Sequence, residues 1–557
     1  MEELAASQSV LGPAAERIRA IEAAPLADNL GALLEEAARD AGERVIWDFF
    51  EEGQKETYAA LNRRVNGIAR NLLRLGIRKA THVAVMLPNI PAFPALWLAL
   101  ARIGAVMVPV NIAYRERELA FVLNDSEAAF LVIDAALRPV IAACRDSGQV
   151  TLPVTREIVV GGEGAPGSVA PGSIAPGPIA WSQLDNDPQE SFTPPEAVGL
   201  DDLLNIQYTS GTTGFPKGCM LTHRYWVVAG KVNAFRDGKH YARILAPTPF
   251  FYMDPQWLLV MTIYLRGTLF VARRQSSSRF MEWVRKLKIE FCLLPWVVHK
   301  QPPHELDAEN AVKRANVYGI PPELHGALEA RFNLVAREAF GMTEVGPAAF
   351  MPIEAADMVG SGSCGMAGPF RELRVADETG RTLPPGETGE LLVRGTGIMK
   401  GYYRNPEATA AAFHGDWFRT GDLFRQDERG YFYIVGRLKD MVRRSGENIA
   451  ARELEAVLNA LPEVLESAVI PVPDDLRGEE VRACIVLKEG SQPSPALLDG
   501  LITHCQQHLA PFKVPRYFSF HEGFPRTASM KIAKQPLRGN GGDPRRGSFD
   551  RVEKRWH

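Results

Sequence analysis

Eleven residues, Tyr208–Gly218 (YTSGTTGFPKG), constrain this chain more than any other stretch. They follow an apolar run, Leu203–Tyr208, that reads as a strand. They crowd the hydroxyls of Thr209, Ser210, Thr212 and Thr213, the glycines Gly211, Gly214 and Gly218, and Lys217 into one loop. Glycines let backbone N–H groups converge on an anion, hydroxyls add donors, and a lysine adds charge. The pattern GxxxxGK[ST] is absent, so this is not a Walker loop. The plain alternative is a Ser/Thr/Gly turn. So many anion-binding features in one loop favour a phosphate grip on an α/β fold.

At 557 residues the chain is several times the size of a single-core domain, so two or more domains are expected. Lys+Arg number 63 against Asp+Glu 66, a formal charge of −3. That balance gives no basic face, and a nucleic-acid partner is not expected. The six cysteines (Cys144, Cys219, Cys292, Cys364, Cys484, Cys505) lie far apart with no CxxC pair, which fits a reducing compartment rather than a disulfide scaffold or a zinc site. The N-terminal stretch mixes acidic and basic residues and has no signal-peptide core. Ala92–Val110 is apolar, but Arg102 and Gly104 break it, so it reads as a buried helix leading into a strand and not as a membrane span. A soluble, cytoplasmic protein is expected.

Apolar spacing predicts a helix over Leu61–Leu75, a strand at His82–Met86, a helix at Pro94–Ile103 and a strand at Val106–Val110, the rhythm of an α/β domain with a largely parallel sheet. Residues 161–180 are rich in Gly, Pro and Ala and read as an exposed loop. Gly162, Gly164 and Gly167 have GxGxxG spacing there, but Pro166, Pro171 and Pro176 forbid the helix a dinucleotide site needs. A second such spacing, Gly360, Gly362 and Gly365, has no helical stretch after it. From Leu383 to Tyr433 turn signals separate short strands, an antiparallel texture. A charged segment follows Gly436, then strands at Ala468–Val472 and Ala483–Val486, a helix at Ala496–Leu509 and a basic tail. A separate small α+β domain, 437–557, is expected after a first domain at 1–436.

The loop YTSGTTGFPKG resembles the phosphate signature of the adenylate-forming enzymes, the superfamily of acyl-CoA synthetases, nonribosomal adenylation domains and firefly luciferase. Further motifs of that superfamily occur in order: Phe340–Glu344 (FGMTE), Gly389–Arg394 (GELLVR), Gly421–Leu423 (GDL), Gly436–Asp440 (GRLKD), Gly446–Ile449 (GENI) and Pro525–Lys534 (PRTASMKIAK). The resemblance runs from about residue 30 to 540. It implies a large adenylating domain, built of two α/β subdomains and a β-barrel-like one, and a small mobile C-terminal domain. It also implies ATP, Mg²⁺ and coenzyme A as cofactors or co-substrates.

Adenylation drives a carboxylate onto the α-phosphate of ATP, two anions that repel, so the site must supply cations and donors. By resemblance, Thr209 to Thr213 and Lys217 grip the β- and γ-phosphates, Thr343 touches the α-phosphate, and Glu344 ligates Mg²⁺. Phe340 takes the place of the family's usual adenine-stacking Tyr, keeping the π face, with Gly341 and Met342 beside it. Gly319, Ile320 and Pro321 match the segment on the other adenine face, where the usual Gly-Gly-Ala reads Tyr-Gly-Ile. Asp422 matches the residue that accepts both ribose hydroxyls, and Arg437 a ribose or phosphate contact. Lys531 is the adenylation lysine by position, preceded by Met530 where the family has Gly; Lys534 is a neighbouring candidate or, the favoured alternative, a solvated surface lysine. Lys439 falls on the hinge. Gly446 matches the pantetheine tunnel, and Arg443 and Arg444 are candidate contacts to coenzyme A or a plain basic face.

The segment Phe250–Trp257 (FFYMDPQW) and Lys300–Pro303 (KQPP) look most like the carnitine/crotonobetaine-CoA ligase group. Amino-acid-activating relatives place Asp directly after the aromatic that Tyr252 matches; Met253 stands there and Asp254 follows, which disfavours an α-amino acid. Phe251, Tyr252, Trp257 and Trp296 could hold a quaternary ammonium by cation–π attraction, with Asp254 as counter-charge; ordinary core aromatics are the alternative. No carrier domain follows residue 557, which favours free coenzyme A as acceptor. Three readings stay open: an acyl-CoA ligase acting on a short or medium polar acid, an adenylating enzyme that loads a carrier protein or an amine, and a weak acyl-nucleotide binding protein. The expected partners are these small molecules; the oligomeric state is open, a homodimer included.

Overall fold

The computed structural model describes residues 2–162, 177–209, 216–444, 447–509, 511–526, 531–538 and 543–557; Lys439 and Arg443 are described at the backbone only. The chain folds as two compact units, one of 1–209, 215–373 and 393–418, the other of 210–214, 374–392 and 419–557.

The first unit holds two sheets. Their strands, in chain order, are Val45–Phe49 (β1), Gln54–Thr57 (β2), His82–Met86 (β3), Val106–Pro109 (β4), Phe130–Asp134 (β5), Glu157–Val160 (β6), Ile179–Ala180 (β7), Leu203–Thr209 (β8) and Lys217–Thr222 (β9). Then come Arg243–Ala246 (β10), Thr268–Val271 (β11), Phe291–Leu293 (β12), Arg314–Val317 (β13), Ala336–Met342 (β14), Gly346–Phe350 (β15) and Ser363–Ala367 (β16). One sheet runs β7-β6-β5-β3-β4-β8-β9. It is parallel except at β8–β9, whose antiparallel register sets Thr209 opposite Lys217. The other runs β16-β15-β14-β13-β12-β10-β11-β1-β2, with β1 and β10 to β14 all parallel. The loops after β10, β13 and β14 therefore leave one edge of one sheet, the edge where open α/β sheets bind ligands.

Helices fall where the apolar spacing puts them: Tyr58–Arg74, capped by Thr57, and Ala92–Ile103, which stops at Gly104 in the left-handed conformation (φ 68°). The second helix is buried at every residue, Arg102 included, whose guanidinium bonds Asn62. Among the described residues no helix is long and apolar enough to cross a membrane. All six cysteines are buried free thiols. Burial pushes Cys292 up to about 12 and Cys505 up to about 11. The run 163–176, with most of the first GxGxxG, lies outside the described residues; the second runs into β16, so no nucleotide helix follows it.

In the second unit, Asp422–Gln426 and Phe432–Arg437 pair antiparallel with Asp422 opposite Arg437. A further sheet runs Glu447–Ala450, Met441–Arg444, Gly478–Leu487, Tyr517–His521, Phe549–Asp550, Arg555–Trp556, and Val464–Asp474 pairs with Gly478–Leu487. The helices Ala451–Asn459 and Pro495–His508 cover it with Leu454, Leu458, Leu498 and Leu501. The basic tail thus ends in two short strands that extend this sheet, which composition alone conceals.

One buried histidine makes the first unit acid-sensitive. His223 starts the helix His223–Phe235, is fully buried, and its Nδ1 accepts the Leu30 N–H at 3.2 Å. Burial pulls its pKa down to about 4, against the partial opposition of Asp202. The unfolded chain therefore takes up the proton first. Stability is whole above about pH 6.5 and falls as the pH drops toward 4, by roughly 3 kcal/mol if this group acts alone. Thermal melts across that range should show the slope, and His223→Asn, which can still accept from Leu30, should flatten it.

Candidate active site

The strands β14 and β15 form a hairpin whose tip carries Thr343 and Glu344. Gly341 is required there, because a Cβ would sit 2.7 Å from the Gly346 carbonyl oxygen across the pair. Gly346 itself has φ 67°. Arg371, buried, donates through Nε (3.0 Å) and a terminal nitrogen (2.6 Å) to the Val345 carbonyl, and through its other terminal nitrogen to those of Phe370 (2.8 Å) and Thr396 (2.6 Å). Burial lowers its pKa to about 10, yet the guanidinium stays charged at neutral pH.

That anchoring sets Glu344 against a residue the motifs pass over. Tyr402 Oη donates to Glu344 Oε1 at 3.2 Å, and the Lys217 ammonium lies 4.8 Å from the centre of the Tyr402 ring. The segment around Tyr402 is held to β9 by Met220 N–H to Gly401 O (2.9 Å) and Tyr403 N–H to Gly218 O (2.8 Å). Burial first, then Glu344, raises the Tyr402 phenol far above its usual range, so it remains a donor. Lys217, Tyr402 and Glu344 thus form a cation–aromatic–carboxylate row built from distant parts of the chain. Ser210, Gly211, Thr212 and Thr213 lie outside the described residues; Thr209 stands at the loop's base, its hydroxyl 3.4 Å from the Lys217 carbonyl.

On the neighbouring strand end, the Glu338 carboxylate accepts the N–H groups of Gly319 (3.2 Å) and Ile320 (2.9 Å). Val317 of β13 pairs with Glu338 of β14, so this clamp fixes Gly319–Pro321 beside the strand bearing half-buried Phe340. No motif reports Glu338.

In the second unit the GELLVR and GDL motifs interlock. Glu390 accepts from Arg419 (2.9 and 2.7 Å) and from the Gly421 N–H (2.9 Å), where φ is 68°. Thr420 Oγ1 accepts the Asp422 N–H at 3.1 Å. Asp422 is 3% exposed and lies 3.0 Å from Arg437 Nε. Burial raises its carboxyl, while Arg437, Lys531 and Arg452 pull it back. Lys531, an exposed residue, is thus among the charges that act on Asp422. Lys534 is not a solvated surface lysine: it is paired with Glu455 (2.7 Å) and Asp440 (3.5 Å). Arg444 faces away from solvent. It is buried against Glu480 (2.6 and 3.2 Å) and the Phe512 carbonyl (3.1 Å), a structural pair that leaves no arm for coenzyme A. Lys439 lies in the short turn Leu438–Asp440 and Arg443 in the strand Met441–Arg444, while Gly446 and Met530 lie outside the described residues.

The segment Phe250–Trp257 is wired to the first sheet by amides. Asn205 takes the Trp97 indole N–H (3.0 Å) and donates to Gln256 (2.9 Å), which donates to the carbonyls of Phe250 (2.9 Å) and Tyr252 (3.1 Å). Gln207 donates to that of Phe251 (2.8 Å). Tyr252 precedes the helix Met253–Leu265, Phe251 and Trp257 are buried, and Trp257 Nε1 donates to Asp254 at 3.2 Å. The face of Trp296 is covered by the chain's own Lys300 ammonium at 5.2 Å.

The AMP-binding enzyme model matches residues 34–403 and the AMP-binding enzyme C-terminal domain model residues 453–531. The chain belongs to the AMP-binding enzyme family. It is 34% identical over 499 residues to a crotonobetaine/carnitine–CoA ligase of Salmonella typhi, covering 86% of this chain and 93% of that one. ATP-bound MatB from Rhodopseudomonas palustris is similar in structure (TM-score 0.79, 28% identity, 92% of this chain and 98% of that one). So is the anthranilate CoA ligase AuaEII with anthranoyl-AMP (TM-score 0.81, 23% identity, 93% and 98%), a likeness of fold.

Tyr402→Phe keeps the ring under Lys217 but removes the bond to Glu344. Hydrogen bonds to charged groups are worth about 1.5–3 kcal/mol, so kcat/KM for ATP should fall about tenfold or more in a pyrophosphate-release assay, and further for Tyr402→Leu. Equal rates for Tyr402→Phe and the unaltered enzyme would show the hydroxyl to be idle.

Proposed function

We propose that this acyl-CoA ligase activates a short or medium acid with a polar, betaine-like tail. The carboxylate attacks the α-phosphate of ATP, pyrophosphate leaves, and the coenzyme A thiol then displaces AMP from the acyl-adenylate. The observation that carries the ligase reading is the row Lys217–Tyr402–Glu344: a cation to meet the phosphates and a carboxylate beside it, fixed by a buried scaffold. Thr343 on the same tip adds a hydroxyl toward the α-phosphate. Asp422 and Arg437 supply the ribose acceptor and its flanking cation, and Lys531 the charge that offsets carboxylate–phosphate repulsion. Phe340 and the pinned Gly319–Pro321 backbone offer two faces for adenine.

The carboxylate of Glu344, hard and oxygen-only, suits Mg²⁺, one of its oxygens being steadied by the Tyr402 hydroxyl. The ion would be held by Glu344 and phosphate oxygens, supplying positive charge to the triphosphate. The betaine-like tail rests on the similarity to the Salmonella ligase and on the aromatic segment with Asp254. The domain boundary at Arg437 and a hinge at Lys439 belong to the same reading, with Arg443 and Gly446 toward coenzyme A.

Lys531→Ala should abolish acyl-adenylate formation and spare thioester formation from supplied acyl-adenylate, since its charge is needed where carboxylate meets phosphate. Equal loss of both half-reactions, followed by pyrophosphate release and thioester yield, would remove that assignment.

Lys439→Pro should do the reverse, because proline fixes φ near −65° and holds the hinge in one arrangement. Unimpaired turnover with coenzyme A would place the hinge elsewhere.

A further inference from the structure

The helix Glu2–Ala23 precedes the residues that the family model matches, which begin at 34, and it carries none of the motifs. Three polar ties dock its C-terminal half on the first unit. Arg17 donates through Nε to the Arg236 carbonyl (2.9 Å) and through its terminal nitrogens to both Glu354 oxygens (2.8 and 2.9 Å). Lys231, buried in the helix His223–Phe235, donates to the carbonyls of Ala24 and Pro25 just past the helix end. The third tie is of another kind. Glu22 Oε1 accepts the backbone N–H of Phe370 at 2.6 Å, 348 positions further along the chain.

Phe370 is held in a conformation that its side chain disfavours. The Arg371 N–H donates to the Gly368 carbonyl at 3.1 Å, closing the turn Gly368–Arg371 with Pro369 second and Phe370 third. Phe370 has φ 61°, a value that turns normally assign to Gly or Asn, and it is the one aromatic residue with positive φ among the described residues. A bulky residue stays there only where its surroundings over-determine it. Glu22 holds its N–H, and the Lys231 ammonium lies 5.8 Å from the centre of its ring. Its carbonyl accepts from Arg371 at 2.8 Å, and residue 395 must be Gly beside it, since a Cβ there would collide with that oxygen. The strained residue thus sits between the N-terminal helix and the guanidinium that also binds the Val345 and Thr396 carbonyls. Were Phe370 to relax, its peptide would turn and that carbonyl would leave Arg371.

An ion pair such as Arg17–Glu354 accounts for the attachment of the helix and nothing more. Glu22 differs, because its partner is a strained backbone beside Arg371. We infer that Glu22 is a positioning residue for the triphosphate site. Its carboxylate keeps Phe370 left-handed, which seats Arg371 on the Val345 and Thr396 carbonyls and so fixes Glu344 against Tyr402. The inference rests on the reading of Lys217, Tyr402 and Glu344 as the groups that meet the β- and γ-phosphates. It makes a helix outside the matched family residues part of how ATP is held.

The test measures binding of ATP with Mg²⁺, and of AMP, by calorimetry on the full-length enzyme and its variants. AMP lacks the β- and γ-phosphates, so a merely loosened fold weakens both ligands alike. Glu22→Ala should weaken ATP binding about threefold or more, the worth of one hydrogen bond, and leave AMP binding unchanged. Glu22→Gln keeps an acceptor oxygen and should restore the affinity. Arg17→Ala loosens the same helix without touching Phe370; it should lower the melting temperature and leave ATP affinity unchanged. Gly takes φ 61° without strain, so Glu22→Ala should cost less in a Phe370→Gly background than in the unaltered chain. Equal losses for ATP and AMP, or equal losses of ATP affinity in Glu22→Ala and Arg17→Ala, would reduce the helix to a structural support and overturn the inference. If Tyr402→Phe weakens ATP binding and Glu22→Ala does not, the positioning role falls and the triphosphate reading stands. If neither weakens it, both fall.

Discussion

A buried guanidinium, that of Arg371, holds the β14–β15 hairpin in place. It has no carboxylate partner among its hydrogen bonds; the carbonyls of Val345, Phe370 and Thr396 satisfy it instead. Burying a charge costs several kcal/mol unless hydrogen bonds meet it, so the three backbone segments are drawn together around one cation. Val345 directly follows Glu344, and Thr396 lies a few residues before Tyr402. The spacing of Glu344 and Tyr402, and with it the position of Lys217, follows from how those carbonyls pack on Arg371.

The same economy appears at the loop Gly319–Pro321 and in the second unit. Glu338 spends both carboxylate oxygens on the backbone N–H groups of Gly319 and Ile320, and Glu390 does so on Arg419 and Gly421. In each case a buried acid fixes a stretch of backbone. Asp422 keeps a carboxylate held between the opposing influences of burial and Arg437.

Much of this was legible because local signals and chemistry coincide. Strand His82–Met86 read directly from apolar spacing, and the helix read as Leu61–Leu75 starts three residues earlier, at Tyr58. Thr343, Glu344, Asp422 and Lys531 sit in contiguous motifs whose neighbours are also constrained. What stayed hidden depends on partners far along the chain. Arg444 looks like a free basic residue until Glu480, 36 positions on, takes it inward. Lys534 looks solvated until Asp440 and Glu455 appear beside it. Tyr402 carries no signature, since a tyrosine's use is set by what the fold places against its ring and hydroxyl. Lys300 over Trp296 lies four residues on, at the far end of one short 3-10 helix, a local pairing that a search for ligand cages passes over.

The complete burial of the six cysteines has a practical consequence for an enzyme that handles a thiol. With their thiols raised by burial, as at Cys292 and Cys505, they are poor partners for exchange with coenzyme A or its disulfide. The native chain is therefore a ready-made silent background for thiol chemistry. A cysteine introduced at an exposed position in each unit would be the reactive pair, so spin or fluorescent labels could report the distance between the units throughout a catalytic cycle without first removing any native residue.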